Sequence, residues 1–245
     1  NFWDKLIPLF VISGLWILIL IFEIIVSRKS PHKEAIIKIL HQLRICVQGL
    51  FVTFLYDGFG DVFFFAILSY RTTKKLTFLP VLNLIISIIF IIIAVGALIF
   101  HNWLIKKYQR IKKADQEEEL EQFQTKHEGA QILWKDFKDD SSIQMSGLFF
   151  AVLHNIVFCI ILATLFEHTF VQVILIVLLS LAMLFYHIWW RPIDEKQDLI
   201  QTLCCEGILF MVNICLLILV MMDSSHKEAR QVIGQIILLL ALIFN

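Results

Sequence analysis

Residues 78–104 read FLPVLNLIISIIFIIIAVGALIFHNWL, and no Asp, Glu, Lys or Arg interrupts them. About 20 apolar residues in a helix cross a bilayer core roughly 30 Å thick, so this run is long enough to span. It is apolar on every face, whereas a soluble surface helix keeps one polar side. Pro80 falls in the first turn, where its missing N–H would have no partner in any case.

Past Leu104 the character changes. Lys106, Lys107, Arg110, Lys112 and Lys113 form a basic stretch, followed by an acidic one over 115–121, with no Gly or Pro before Gly129. These are strong helix formers, so the helix is predicted to project into the cytoplasm until Gly129 ends it. Basic residues then meet anionic headgroups, and acidic ones stand further out. After Gly129, Ile132, Leu133, Trp134 and Phe137 are interleaved with Lys135, Asp136, Lys138 and Asp139, a two-faced pattern. A helix lying on the membrane surface is expected there, with an unstructured loop as the competing reading.

Six further runs resemble the first, at 6–26, 46–70, 146–166, 169–190, 199–222 and 232–245, the last being short. Composition agrees: 59% of the 245 residues are hydrophobic and 17% charged, against roughly 45–50% and 25% in a soluble domain. The expected fold is therefore an all-α polytopic bundle of about seven spans. Its parts are spans one to three (1–104, with a basic interfacial helix or an extension of span two at 31–45), a charged cytoplasmic segment (105–141) and spans four to seven (142–245).

If the spans alternate, one side holds most of the Lys and Arg, and the other only Lys5, Arg71, Lys74, Lys75, Lys227 and Arg230. The positive-inside rule then sets Asn1 outside and Asn245 inside. Span five closes on Tyr186-His187-Ile188-Trp189-Trp190-Arg191-Pro192, an aromatic belt followed by a cation and a helix breaker. Spans four and five are joined only through Glu167-His168. Membrane-surface contacts are thus assigned to Lys106, Lys107, Arg110, Lys112, Lys113, Trp134, Trp189, Trp190 and Arg191. The chain opens on Asn1, and Trp3-Asp4-Lys5 is unlike a signal peptide, so a segment of a longer polypeptide is expected.

Several functions are disfavoured. Net charge is zero, unlike a nucleic-acid-binding face. No phosphate loop, zinc helix or nucleophile elbow is present, so no enzyme is expected. The histidines and the five cysteines, Cys46, Cys159, Cys204, Cys205 and Cys215, lack ligand or disulfide spacing, and no metal centre is expected.

Asp57-Gly58-Phe59-Gly60-Asp61 lies within span two. Two carboxylates four apart share a helical face, and each is costly in hydrocarbon, so they should meet a water-filled cavity or a partner. Three readings stay open: an ion or proton site, polar packing beside a glycine kink, or a span shifted to 36–56. The last would bury Lys38, His41 and Arg44. Glu23 in span one, His154 and Asn155 in span four, and Glu206 and Asn213 in span six are further polar candidates. Ion-binding or pore-lining roles are assigned to Asp57, Asp61, Glu206, Asn213 and Glu23.

The stretch from Phe170 to Glu206, with Gln172 early in an apolar span, Tyr186, Arg191-Pro192, a short polar loop and a Glu early in the next span, resembles the carboxy-terminal membrane region of the fungal TRP-like (flavin carrier and polycystin-like) family and of similarly built protist surface proteins. The resemblance covers about a third of the chain. It implies a non-enzymatic transport or channel-related role linked to Ca2+ or another cation, and a plasma or ciliary membrane location. Asp57 and Asp61 match no motif of that family. The alternatives are a membrane anchor for an extracellular assembly, contacting a cytoplasmic partner through 105–141, and a seven-helix receptor. The lipid bilayer is the expected partner in every case, with a homo-oligomer open.

Overall fold

The computed structural model describes residues 2–29, 34–72, 78–222 and 226–244. The helices are α1 (Phe2–Lys29), α2 (Glu34–Thr72), α3 (Phe78–Lys113), α4 (Glu117–Lys126), α5 (Ser142–Met145), α6 (Gly147–Thr164), α7 (Thr169–Trp190), α8 (Lys196–Met221) and α9 (Lys227–Phe244), with a 3-10 turn at Glu128–Leu133. Among the described residues six helices are long and apolar enough to cross a membrane: α1, α2, α3, α6, α7 and α8. The chain is an all-α integral membrane bundle. The described part of the run at 232–245 belongs to α9, which packs on α8. It is not among the six, because Lys227, Glu228 and Arg230 crowd its start.

α2 is the hub, packing on α1, α3, α6 and the 3-10 turn, while α7 joins α6 to α8. Helices in lipid gain little from burying apolar surface and pack instead through small residues and polar contacts. Gly60 supplies one such place: a Cβ there would lie 2.7 Å from side-chain atoms of Asn155, so α2 and α6 meet backbone against side chain. The outward faces stay apolar and open, as at Leu18 and Ile92, both 65% exposed. In water such a surface would aggregate; in a bilayer it is solvated.

At a rise of about 1.5 Å per residue, helices the length of α2 and α3 exceed the hydrocarbon core by twenty ångströms or more. The excess of α2 begins at Glu34, so the segment before span two is an extension of it. Residues 30–33, with Lys33, and 73–77, with Lys74 and Lys75, lie outside the described residues. The excess of α3 belongs to a lobe built from 105–141.

That lobe departs from the expected straight projection. α3 ends at Lys113, Asp115 adopts a left-handed φ of 56°, and α4 folds back along α3. Phe123 provides the reason: the buried residue of α4, it returns to Tyr108 (ring centroids 6.3 Å) and Trp134 (6.2 Å). The segment expected to lie on the membrane surface is instead drawn inward. Ala130, Leu133 and Trp134 are buried in a core with Leu104, Ile105 and Tyr108 of α3 and Leu55 and Tyr56 of α2.

At the opposite end, Arg71 closes the α6–α7 hairpin. Its guanidinium donates to the carbonyls of Ala163 (3.0 Å) and Thr164 (3.2 Å), pairs with Glu167 (3.3 Å) and lies 4.0 Å above the ring of Phe166. The orphan carbonyls that end a helix thereby gain a cation.

Candidate functional site

Asp57 and Asp61 sit on the side of α2 that faces α6. Asp57 is exposed and Asp61 half-buried; Asp61 lies close enough to Cys159 of α6 to interact electrostatically. Asp57 lines a cleft of about 390 Å³ between α2, α6 and the lobe. Thr53 and Tyr56 share its α2 wall, Asn155 and Val152 its α6 wall, and Ile132, Asp136 and Phe137 come from the lobe. The cleft therefore holds two carboxylates, Asp57 and Asp136, that are far apart in sequence.

Asp136 is held there through its backbone. The α7–α8 loop runs beside the lobe: Lys138 N–H donates to the carbonyl of Pro192 (2.7 Å), Asp194 N–H donates to that of Asp136 (3.2 Å), and Phe137 and Ile193 form an isolated bridge. Arg191, in the left-handed region at φ 46°, ends α7 and sets up this loop. Phe137 in turn covers Gly147, where a Cβ would come within 2.2 Å of its ring. The lobe is thus tied to both halves of the bundle, to α2 and α6 through the cleft and to α7 and α8 through the loop.

A second polar patch of the lobe, about 450 Å³, is lined by Tyr108, Gln124, Gln131, Lys135, Lys138, Asp139, Asp140 and Asp194, among others. Lys112 pairs with Asp139 at 2.7 Å, Tyr108 donates to the same carboxylate at 3.2 Å, and Gln109 donates to the Asp139 carbonyl at 2.8 Å. The Lys112 hydrogen bond holds the Asp139 carboxyl below the ordinary carboxylate range, against a smaller opposing effect of burial. His127 is shifted below the usual imidazole value by burial, then by Lys126 and Lys107.

The other expected residues separate into different places. Glu23 of α1 pairs with Arg44 of α2 (2.7 Å) and with His41 (3.3 Å), while Arg44 reaches the His41 ring at 2.8 Å. Of the residues that spoke against a shifted span, His41 and Arg44 are therefore accommodated at the α1–α2 interface, where a charge is cheaper paired than alone, and Lys38 is exposed. Asn213 of α8 donates to Ser180 of α7 at 2.6 Å, distant from α2 in the packing order. Glu206 has a carboxylate oxygen buried without a partner and takes no part in the Glu23 cluster's contacts. Among the described residues, Asp57 and Asn155 line the cleft of α2 and α6, while Asn213 and Ser180 pair between α8 and α7.

Of the assigned surface contacts, Trp189 is 78% exposed and Trp190 39%, and Arg191, Lys106, Arg110, Lys112 and Lys113 are also exposed. Lys107 is half-buried, with its ammonium 5.3 Å above the Trp103 ring and 5.6 Å above that of Phe123. Trp134 is 6% exposed and packs inside the lobe, a correction to its assignment as a surface contact. Asp136 escaped the sequence reading because it belonged to a segment expected on the membrane surface; no local pattern marks it. No family model, curated protein or solved structure matches the chain. Among the described residues, no group of three or more His, Cys, Asp or Glu side chains is gathered as a metal centre would gather them.

Proposed function

We propose that this membrane protein conducts or senses a cation at the cleft between α2, α6 and the lobe, a TRP-like role in keeping with the resemblance of Phe170 to Glu206. The supporting observation is the meeting of Asp57 and Asp136 in one cleft, whose walls also carry Thr53 and Asn155. Hard cations such as Ca2+ take carboxylate, carbonyl and hydroxyl oxygens. A cation there would offset two like charges and draw the lobe toward α2. Because Asp136 is tied to the α7–α8 loop, occupancy would reach the other half of the bundle. A plasma or ciliary membrane is the setting this role implies.

The test is cation flux into proteoliposomes, comparing the protein with Asp57→Asn and Asp136→Asn. Flux lowered at least ten-fold in either variant, with thermal unfolding unchanged, supports the proposal. Absence of flux above empty liposomes under voltage, calcium and stretch, together with no calcium-dependent shift in unfolding, removes it. The anchor would then lead, supported by the mixed-charge patch of Lys135, Lys138, Asp139, Asp140 and Asp194, which suits a polar protein partner.

A further inference from the structure

The return of α4 along α3 carries the last turn of α4 back to the level at which the apolar run of α3 gives way to lysines. The His127 ring stands 6.4 Å from that of Trp103, 6.5 Å from that of Phe100 and 4.7 Å from that of Phe123. Lys107 reaches over two of the same rings, those of Trp103 and Phe123. Lys126 completes the group: its charge and that of Lys107 both act on the His127 imidazole. Basic groups from two helices thus gather beside one aromatic cluster.

Nothing in the protein offsets them. Neither Lys107 nor Lys126 forms an ion pair among the described residues, whereas Lys112, on another face of α3, pairs with Asp139. Glu128, next in the chain, is exposed and pairs with neither lysine. The acidic start of α4, Glu117–Glu119, stands about 10 Å or more further along the helix, at a rise of about 1.5 Å per residue. Like charges brought together by a fold repel, and an anion relieves them. The surrounding surface says which anion. Ile99, Phe100 and Trp103 are 67%, 46% and 48% exposed, and they continue the lipid-facing side of α3 down to the cluster. Tryptophan followed by lysine at the end of an apolar span marks headgroup level. A phosphate that arrives with acyl chains satisfies both the charge and the apolar surface; free phosphate satisfies the charge alone.

We propose that Lys107, Lys126 and His127 bind the phosphate of a net-anionic phospholipid from the leaflet on the lobe side, with its acyl chains along Ile99 and Phe100. The rings hold the Lys107 ammonium on one side, and its N–H groups remain for phosphate oxygens. The neutral His127 imidazole adds one N–H donor. A zwitterionic headgroup would bring a further cation to two lysines and is disfavoured. Basic residues along α3 alone describe a general attraction to headgroups; here two of the three groups come from the end of α4, so the site exists only when α4 is folded back. Bound lipid therefore stabilises that return by mass action. The site is separate from the Asp57 cleft and does not rest on its cation role.

The experiment takes the full chain in a neutral detergent and counts bound lipid by native mass spectrometry as dioctanoyl phosphatidylglycerol or dioctanoyl phosphatidylcholine is added. Phosphatidylglycerol is expected to bind saturably and about ten-fold tighter. Lys126→Gln should weaken its binding about five-fold, the contribution of one lysine near a headgroup, and leave phosphatidylcholine unchanged. Lys126→Arg, which keeps the charge, should bind as the wild type does. Lys196→Gln removes an exposed lysine from the start of α8 on the same side of the membrane, and should change binding less than about two-fold. Lys107→Gln should repeat the loss, and decides the matter if Lys126→Gln does not fold. Equal affinity for the two lipids, an equal loss in Lys126→Gln and Lys196→Gln, or displacement of phosphatidylglycerol by inorganic phosphate at the same concentration each overturns the proposal.

Discussion

Trp134 and Trp189 are the same residue in two opposite situations. Trp134 is 6% exposed, enclosed by Tyr108 and Phe123, whereas Trp189 is 78% exposed at the end of α7. Sequence context made both look like belt residues at the membrane interface. The difference shows how the two regions of the molecule are held together. In the spans, an apolar side chain is at ease whether it faces protein or lipid, so burial carries little of the stability and hydrogen bonds and small-residue contacts decide the packing. In the lobe, water is the alternative, and aromatic burial decides it.

The comparison breaks most directly at Trp134. Trp134→Ala should destabilise the protein by about 3–5 kcal/mol, the range for emptying a buried aromatic site, measured by thermal or denaturant unfolding in a fixed detergent. Trp189→Ala should shift the same transition by no more than about 0.5 kcal/mol. Equal losses at both positions would mean that the lobe is not packed as described.

Arg71→Ala ranks next, at about 1–2 kcal/mol. It removes charge-assisted bonds to the Ala163 and Thr164 carbonyls, but the site is partly solvated and its Glu167 partner is mostly exposed. Protease cutting at the α6–α7 hairpin, faster in the variant, would sharpen the assignment. Asn213→Ala should cost about 0.6 kcal/mol, the average for an interhelical hydrogen bond in a membrane bundle, and Ser180→Ala should add nothing further if the 2.6 Å bond is the whole effect. A double-mutant cycle measures this.

The smallest effect belongs to the Lys112–Asp139 pair, in which both side chains are about 40% exposed; Asp139→Asn should cost at most about 0.5 kcal/mol at neutral pH. The folded Asp139 carboxyl titrates below its ordinary value, chiefly because of Lys112. Its contribution is therefore complete above the unfolded value, near pH 4, and fades as the pH falls through the lower folded value. Between pH 5 and 8 the wild type and Asp139→Asn should differ by a constant amount; a difference that changes with pH in that window would assign the pairing elsewhere.

The same contrast explains what could be read from the residues alone. The bilayer demands long, predominantly apolar runs, so 78–104 and five others announce their helices without tertiary information. Trp190-Arg191-Pro192 announces the end of α7 by local chemistry. The return of α4 at Asp115 has no such signal: a helix-favouring stretch of Glu, Gln and Lys predicts continuation, and only the distant need of Phe123 and Trp134 to bury against Tyr108 overrides it. The cleft was half legible. Asp57 stood out because a carboxylate in an apolar span is costly, whereas Asp136 is an ordinary charge among charges until the lobe folds back and presents it to α2. Glu23 was marked as polar, and its pairing with Arg44 follows from the antiparallel packing of α1 on α2.

That Asp57 belongs to a cleft reached from the side of the lobe is the claim on which the cation role depends. It is best tested by Asp57→Cys in a protein whose five native cysteines are replaced, with a membrane-impermeant thiol reagent applied separately to each side of sealed vesicles. Modification from the lobe side, slowed by added calcium, is the predicted result. A thiol that no reagent reaches from the lobe side, or one that reacts only from the opposite side, contradicts the account.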